Sequence, residues 1–205
     1  MKVLISDKVS DGCVDILERN PDVAVDVRTD LSREELVEVI GEYEALIVRS
    51  STQVTEEVLG AGQRLRVVGR AGAGVDNIDV SAATRRGVVV MNTPGGNSVS
   101  AAEHSFSMLM ALARNLPQAT ASLKAGKWEK SKFTGVELAG KTLGILGMGA
   151  IGVALARRAS AFDMRVIGTK RTPAPHLVGQ LGLDFLGTPS DLTRVLEESD
   201  FVAVC

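Results

Sequence analysis

The segment 141–152, reading Lys-Thr-Leu-Gly-Ile-Leu-Gly-Met-Gly-Ala-Ile-Gly, constrains the fold more than any other stretch of the chain. An apolar run leads into Gly147-x-Gly149-x-x-Gly152, and residues 153–161 behind it have helical spacing without Gly or Pro. That order predicts a buried strand, a tight turn and a helix start. In such a turn the first glycine reaches a backbone conformation that L-residues avoid, the second lets another group approach the main chain, and the third lets the helix pack closely on the strand. The helix start presents unpaired N–H groups and a partial positive charge, the arrangement that binds the diphosphate of a dinucleotide. Glycine is frequent here, 21 of 205 residues, so the alternative is a purely structural turn. A second apolar run at 164–168 favours the dinucleotide, because it stands where a βαβ unit needs its next strand.

The rest of the chain alternates in the same way. Residues 2–6 read as a strand, 11–19 as a helix, and Val23, Val25 and Val27 as a further strand. Ser32 before Arg33-Glu34-Glu35 is a helix start with a capping pair, 45–48 is a buried-strand pattern, Thr55 opens a short helix, and 65–69 is a strand. Strands at 88–91 and 201–204 and a strand at 181–185 extend the series, with Ser190 capping a helix at 191–198. Alternating strands and helices predict an α/β fold with parallel sheets. A long helix from Ser98 or Ser100 to about residue 115, stopped near Pro117, shows Ala102, Phe106, Leu109, Met110 and Ala113 at helical spacing, so one face is core. Three segments result: 1–98, a connecting helix and loop at 99–140, and 141–205.

Two loops hold further candidates. Arg-Ala-Gly-Ala-Gly-Val-Asp-Asn-Ile-Asp at 70–79 brackets backbone amides between glycines, so it can present N–H groups to an anion with Arg70 adding charge. Equally, it reads as a turn whose Asp76 and Asn77 cap the next helix. After the apolar run at 164–168 comes Thr169-Lys170-Arg171. An NAD-binding unit usually places an acidic residue here to accept from the ribose 2′-hydroxyl. Two cations suit a 2′-phosphate instead, which tips the reading from NAD towards NADP; a solvated loop is the alternative.

Composition excludes several classes. A net charge of −2 gives no general attraction to nucleic acid or to an anionic membrane, and one Trp, one Tyr and five Phe are too few for a base-stacking surface. Cys13 and Cys205 have no metal-ligand spacing, so no metal site is expected and nothing requires an oxidising compartment. The apolar part of the N-terminus is too short for a signal peptide and no run reaches membrane-spanning length, which makes the cytoplasm the expected location.

Four ordered motifs now coincide: 70–79, Asn-Thr-Pro-Gly-Gly-Asn-Ser-Val-Ser-Ala-Ala-Glu at 92–103, Ala-Thr-Ala-Ser-Leu-Lys-Ala-Gly-Lys-Trp at 119–128, and the glycine turn. Together they resemble the D-2-hydroxyacid dehydrogenase family along the whole chain. The resemblance implies a flavodoxin-like N-terminal substrate domain and the first half of a Rossmann-type dinucleotide-binding domain, with the active site in the cleft between them. It implies that Arg49, Ser50, Arg70, Gly72, Ala73, Gly74 and Asn97 bind a small anionic 2-hydroxy or 2-oxo acid, Arg49 reaching a phosphorylated substrate. Ala73, Val99, Gly147, Gly149, Ala150, Ile151, Gly152, Thr169, Lys170 and Arg171 are the implied cofactor ligands. A homodimer is the family habit, and the apolar long helix suits one. Ala150 departs from the arginine common at that position, and Lys170 from the acidic ribose ligand.

The resemblance also implies that the catalytic Arg and the Glu-His pair lie C-terminal to these residues. Hydride transfer at a secondary alcohol needs such a base, because the hydroxyl proton leaves as the hydride does. Glu103 and His104 adjoin on one helix and do not face each other, and His176 sits in a Pro-rich loop. No catalytic residue is assigned, and the chain is expected to be an N-terminal portion without activity alone. The alternatives are a glyoxylate or hydroxypyruvate reductase and a dinucleotide-sensing protein of corepressor type.

Overall fold

The structure, a computed structural model, describes residues 1–205. It divides into two compact units, Met1–Asn97 and Ser98–Cys205.

The first unit contains β1 (Lys2–Ile5), α1 (Asp11–Glu18), β2 (Ala24–Val27), α2 (Arg33–Val39), β3 (Ala45–Val48), α3 (Glu56–Ala61), β4 (Val67–Arg70), α4 (Val80–Arg85) and β5 (Val89–Asn92). Its strands form one parallel sheet in the order β2-β1-β3-β4-β5, the flavodoxin-like order, whose winding reverses between β1 and β3. The short apolar runs Val-Leu-Ile in β1 and Ala-Leu-Ile-Val in β3 form the sheet centre because both their faces are covered. Leu4, Ile40, Leu46, Val48, Val58 and Val68 are fully buried in one cluster, each large side chain contributing about 1.5–3 kcal/mol.

Helix starts follow the expected chemistry at Ser32 and Thr55 and depart from it before α4 and at Ser190, which lies inside a short 3-10 turn capped by Thr188 and caps no helix. The Ser32 hydroxyl accepts from Glu35 N–H while the Glu35 carboxylate accepts from Ser32 N–H, and Thr55 caps α3 through Val58 N–H. Before α4 the cap is Asp79, which accepts from Ala82 N–H, and neither Asp76 nor Asn77. Both are otherwise engaged: Asp76 pairs with Arg70, and Asn77 is buried with its side-chain amide donating to Arg49 O and Thr52 O.

The second unit contains α5 (Ser98–Ala113), α6 (Leu116–Lys124), β6 (Thr142–Leu146), α7 (Ala150–Ser160), β7 (Arg165–Thr169), α8 (His176–Leu181), β8 (Phe185–Gly187), α9 (Leu192–Glu198) and β9 (Phe201–Val204). The sheet is parallel in the order β8-β7-β6-β9, so its strands stand 3-2-1-4 by order of appearance, as in one winding of a Rossmann fold. Ala102, Phe106 and Ala113 of α5 pack into the same core as Leu143, Ile145, Leu155 and Ala156, and Phe106 meets Phe162 edge to face at 4.8 Å. Asp200 fixes the entry of β9 beside β6 by accepting from Thr142 N–H at 2.8 Å.

Two elements differ from the sequence reading. Pro117 ends no helical region; α6 starts at Leu116, directly after Asn115 turns the chain with φ +53°. A proline in the first turn removes only an N–H that a helix start leaves unpaired. Residues 181–185 are not a strand: Leu181 closes α8 as a buried residue, Gly182 ends the helix in the left-handed conformation, and pairing begins at Phe185. No helix is long and apolar enough to cross a membrane.

Candidate functional site

In the second unit the glycine turn joins β6 to α7, and its three glycines are constrained in three different ways. Gly147 has φ +104°, and a methyl group there would lie 2.2 Å from the Cys205 carbonyl oxygen. Gly152 sits in the first turn of α7, where a methyl group would lie 2.4 Å from the Gly147 carbonyl oxygen, so helix and turn touch through its missing side chain. Gly149, the residue that caps α7, has ordinary extended dihedrals and nothing within 4 Å of an added methyl. The side of the turn above Gly149 is therefore open to an incoming group.

The hydrogen-bonding pattern explains what that opening exposes. Gly147 N–H and Met148 N–H both donate to Thr169 O, pinning the turn to the end of β7. The first bond internal to α7 is Val153 N–H to Gly149 O, and no side chain caps the helix. The N–H groups of Ala150, Ile151 and Gly152 consequently have no acceptor, at the positive end of the helix dipole. Three donors around an open main chain fit a diphosphate. The expected ribose end is also placed: Thr169 is buried, Arg171 is exposed, and the Lys170 ammonium donates to Met148 O at 3.0 Å, beside the turn itself. Ala150 is exposed and adds no charge.

In the first unit the candidate acid site lies at the carboxyl ends of β3 and β4. Asp7, buried after β1, organises the β3 side. Its Oδ2 accepts from Arg49 N–H (2.6 Å), Ser51 N–H (3.2 Å) and Thr52 N–H (3.1 Å), while its Oδ1 accepts from the Thr52 hydroxyl (2.9 Å). Three main-chain donors of that loop are thus engaged, and the Arg49 and Ser50 side chains are left exposed. Arg49 makes a single side-chain bond, Nη1 to Lys8 O at 3.2 Å.

The β4 loop is arranged the opposite way. Thr93 N–H donates to Gly72 O (2.9 Å), Asn92 Nδ2 to Ala73 O (2.6 Å) and Arg70 Nη1 to Gly74 O (2.6 Å). Every carbonyl from 72 to 74 has a donor, whereas the N–H groups of Ala73, Gly74 and Val75 have no acceptor. No peptide is cis, so each of those N–H groups points away from the carbonyl held before it. Three successive amides are thus directed away from anchored carbonyls and remain available to an anion.

Arg70 does more than add charge. Only 11% of its side chain is exposed; besides Gly74 O it reaches Arg49 O through Nε (3.3 Å) and Asp76 through Nη2 (3.4 Å). Two of its five N–H groups remain for an external anion. Asn97 precedes α5, and Val99 in its first turn is 56% exposed. Asp7, Asn77 and Asn92 are the site-building residues that sequence reading missed. A buried carboxylate directly after the first strand of a parallel sheet was the available signal for Asp7. His104 on α5 and His176 at the start of α8 are exposed and have no carboxylate partner; Glu103 pairs with Arg158 instead.

Comparison with known proteins matches this geometry to a family. The family model described as "D-isomer specific 2-hydroxyacid dehydrogenase, catalytic domain" matches residues 3–171. D-3-phosphoglycerate dehydrogenase of Archaeoglobus fulgidus is 44% identical over 204 residues, covering 100% of this chain and 38% of its own length. The chain thus spans less than two fifths of that relative. Among solved structures, TT0316 protein from Thermus thermophilus superposes with a TM-score of 0.88 at 32% identity, covering 100% of this chain and 64% of that one. D-lactate dehydrogenase from Aquifex aeolicus, complexed with NAD and lactic acid, gives 0.83 at 25% identity, with 100% and 60% covered. With a family match across most of its length, the chain belongs to the D-isomer specific 2-hydroxyacid dehydrogenases.

Proposed function

We propose that residues 1–205 form the acid-binding and dinucleotide-binding parts of an NAD(P)-dependent D-2-hydroxyacid dehydrogenase acting on a phosphorylated acid of the 3-phosphoglycerate type. One observation carries the reading: each unit holds successive main-chain N–H groups without acceptors beside its glycines, including Ala73 to Val75 in one and Ala150 to Gly152 in the other. The first suits a carboxylate and the second a diphosphate. The cofactor, when bound, exchanges a hydride with C2 of the acid.

The chain's own residues then have these roles. Gly147, Gly149 and Gly152 shape the diphosphate seat, and Ala150, Ile151 and Gly152 donate to it. Thr169, Lys170 and Arg171 face the adenosine ribose, where the two cations favour a 2′-phosphate and hence NADP. Ala73 in the first unit and Val99 in the second are each assigned as further cofactor contacts from the family resemblance. Gly72, Ala73, Gly74 and Asn97 orient the acid carboxylate with charge from Arg70, while the exposed guanidinium of Arg49 and the Ser50 hydroxyl receive the substrate phosphate. The likeness to D-3-phosphoglycerate dehydrogenase supports that last assignment. Neither histidine is held as a base, so residues 1–205 alone are expected to bind both ligands without turning them over.

The exposed apolar side chains Met108, Leu112, Leu123 and Trp128, in α5, α6 and the segment after it, support a homodimer. Two free thiols, Cys13 and Cys205, suit the cytoplasm.

Calorimetric titration tests the proposal directly. The 205-residue chain is titrated with NADH and with NADPH, each with and without D-3-phosphoglycerate. Dinucleotide binding that tightens when the acid is present is the expected result. Binding indifferent to the acid points to a dinucleotide sensor, and no dinucleotide binding at all refutes the assignment of the glycine turn.

A further inference from the structure

From the hydrogen bonds of the β4 loop we infer that Asn92 is a positioning residue for the substrate carboxylate, holding the Ala73 carbonyl so that the Gly74 N–H faces outward; the inference rests on the acid-binding role given to this loop above. Three carbonyls are clamped there by three different donors: Gly72 O by the main chain of Thr93, Gly74 O by the Arg70 guanidinium, and Ala73 O by Asn92. The middle clamp is the only one of the three that a neutral side chain supplies.

The loop needs such a clamp because of its own composition. Gly72 and Gly74 flank Ala73, and glycine restrains neither of the peptides beside it. A rotation of the 73–74 peptide exchanges the directions of Ala73 C=O and Gly74 N–H, which would turn a carbonyl dipole towards the anion. The hydrogen bond from Asn92 opposes that rotation. Asn92 is well placed to do so, being the last residue of β5 and in register with Arg70, where the loop leaves β4. A donor is required: aspartate has the same shape but would set a carboxylate against the Ala73 carbonyl. Asn92 is also exposed and outside the hydrophobic core, so its removal need not disturb packing.

The test uses the 205-residue chain and two probes that separate the two anion sites. Glycolate carries the carboxylate for the 73–75 amides, and inorganic phosphate serves the Arg49 side. Amide chemical shifts are followed by NMR in wild type, Asn92→Ala, Asn92→Asp and Arg49→Gln, with NADH affinity measured on each. Both Asn92 variants are expected to weaken glycolate at least tenfold, with phosphate and NADH affinities unchanged within twofold. Arg49→Gln should do the reverse, losing phosphate and keeping glycolate. Wild-type glycolate affinity in both Asn92 variants overturns the inference, as does equal loss of glycolate, phosphate and NADH, which would mark general damage. Failure of the wild type itself to bind glycolate would instead remove the acid-site reading, and this inference with it.

Discussion

Replacing Gly149 with alanine should leave the fold intact and abolish tight dinucleotide binding. The backbone at Gly149 has φ −85° and ψ −161°, a conformation open to any L-residue, and the added methyl meets nothing within 4 Å. At a helix N-cap alanine is worse than glycine by several tenths of a kcal/mol or somewhat more, while replacing a glycine stiffens the unfolded chain and favours folding by about 0.4–1 kcal/mol. The two terms offset, so stability should change by less than about 1 kcal/mol, or a midpoint shift within roughly 4–8 °C for a unit of this size. The same methyl stands in the open side of the turn, where a phosphate must come within hydrogen-bond distance of Ala150, Ile151 and Gly152. Losing one hydrogen bond to a charged group costs about 1.5–3 kcal/mol, roughly 10- to 150-fold in Kd.

Gly152→Ala supplies the contrast. Its methyl would lie 2.4 Å from Gly147 O and 3.2 Å from Ile145 Cγ2. The helix must then move off the turn, at a cost of about 1–3 kcal/mol or more, against a gain in helix propensity of about 1 kcal/mol. Stability and binding should fall together here. Thermal unfolding by circular dichroism and NADH titration by calorimetry distinguish the two patterns. A Gly149→Ala protein with wild-type stability and wild-type NADH affinity would refute the claim that this turn receives the diphosphate.

Two further outcomes are expected. Lys170→Asp removes the ammonium beside Met148 O and puts an acceptor at the end of β7, so the ratio of NADH to NADPH affinity should rise by about tenfold or more, one good charge-assisted contact; an unmoved ratio sinks the 2′-phosphate reading. The Asp200 carboxylate is held below its usual range by the Thr142 N–H and then by Lys141, and the Glu198 carboxylate by Arg194 and then Arg165. Groups with depressed folded pKa values stabilise fully above their unfolded values of about 4 and lose that contribution as pH falls through the folded ones. Urea midpoints of the second unit should be flat from about pH 7 to 5 and decline below about pH 4, and less steeply in Asp200→Asn; an identical decline in that variant would show that the Thr142 contact is not responsible.

Much of this architecture was legible because it is written in periodicity. The run at 45–48 matched β3 in full, since a strand covered on both faces must be apolar throughout, and 201–204 matched β9 although its Val202 and Val204 are exposed. The capping pair of Ser32 and Glu35 was legible for a similar reason: its partners are three residues apart, and local spacing is all that it requires. Residues 181–185 misled because Leu181 and Leu183 are both buried, one from a helix and one from the turn after it, and burial by itself does not say which. At Pro117 the ambiguity was in the residue, which both ends helices and begins them.

The site divides along the same line. Arg49 was a candidate only through the family resemblance, whereas the three glycines of the turn could be picked out because each acts by having no side chain. Asp7, Asn77 and Asn92 could not, because what they do is determine which main-chain groups of a distant loop stay unpaired. Asp7 engages three amides of the β3 loop, which leaves the Arg49 side chain as the proposed anion contact there. Asn92, Arg70 and Thr93 engage three carbonyls of the β4 loop, which leaves its main-chain amides, beside Arg70, as the proposed contacts. The partners lie 42–45 residues apart in the first case and 19 and 21 for Asn92 and Thr93 in the second, separations too long for any helical or strand period to reveal. Two neighbouring loops of one sheet thus differ in which of their groups stay unpaired because of residues outside the proposed contacts, and a sequence shows such residues only as ordinary polar positions.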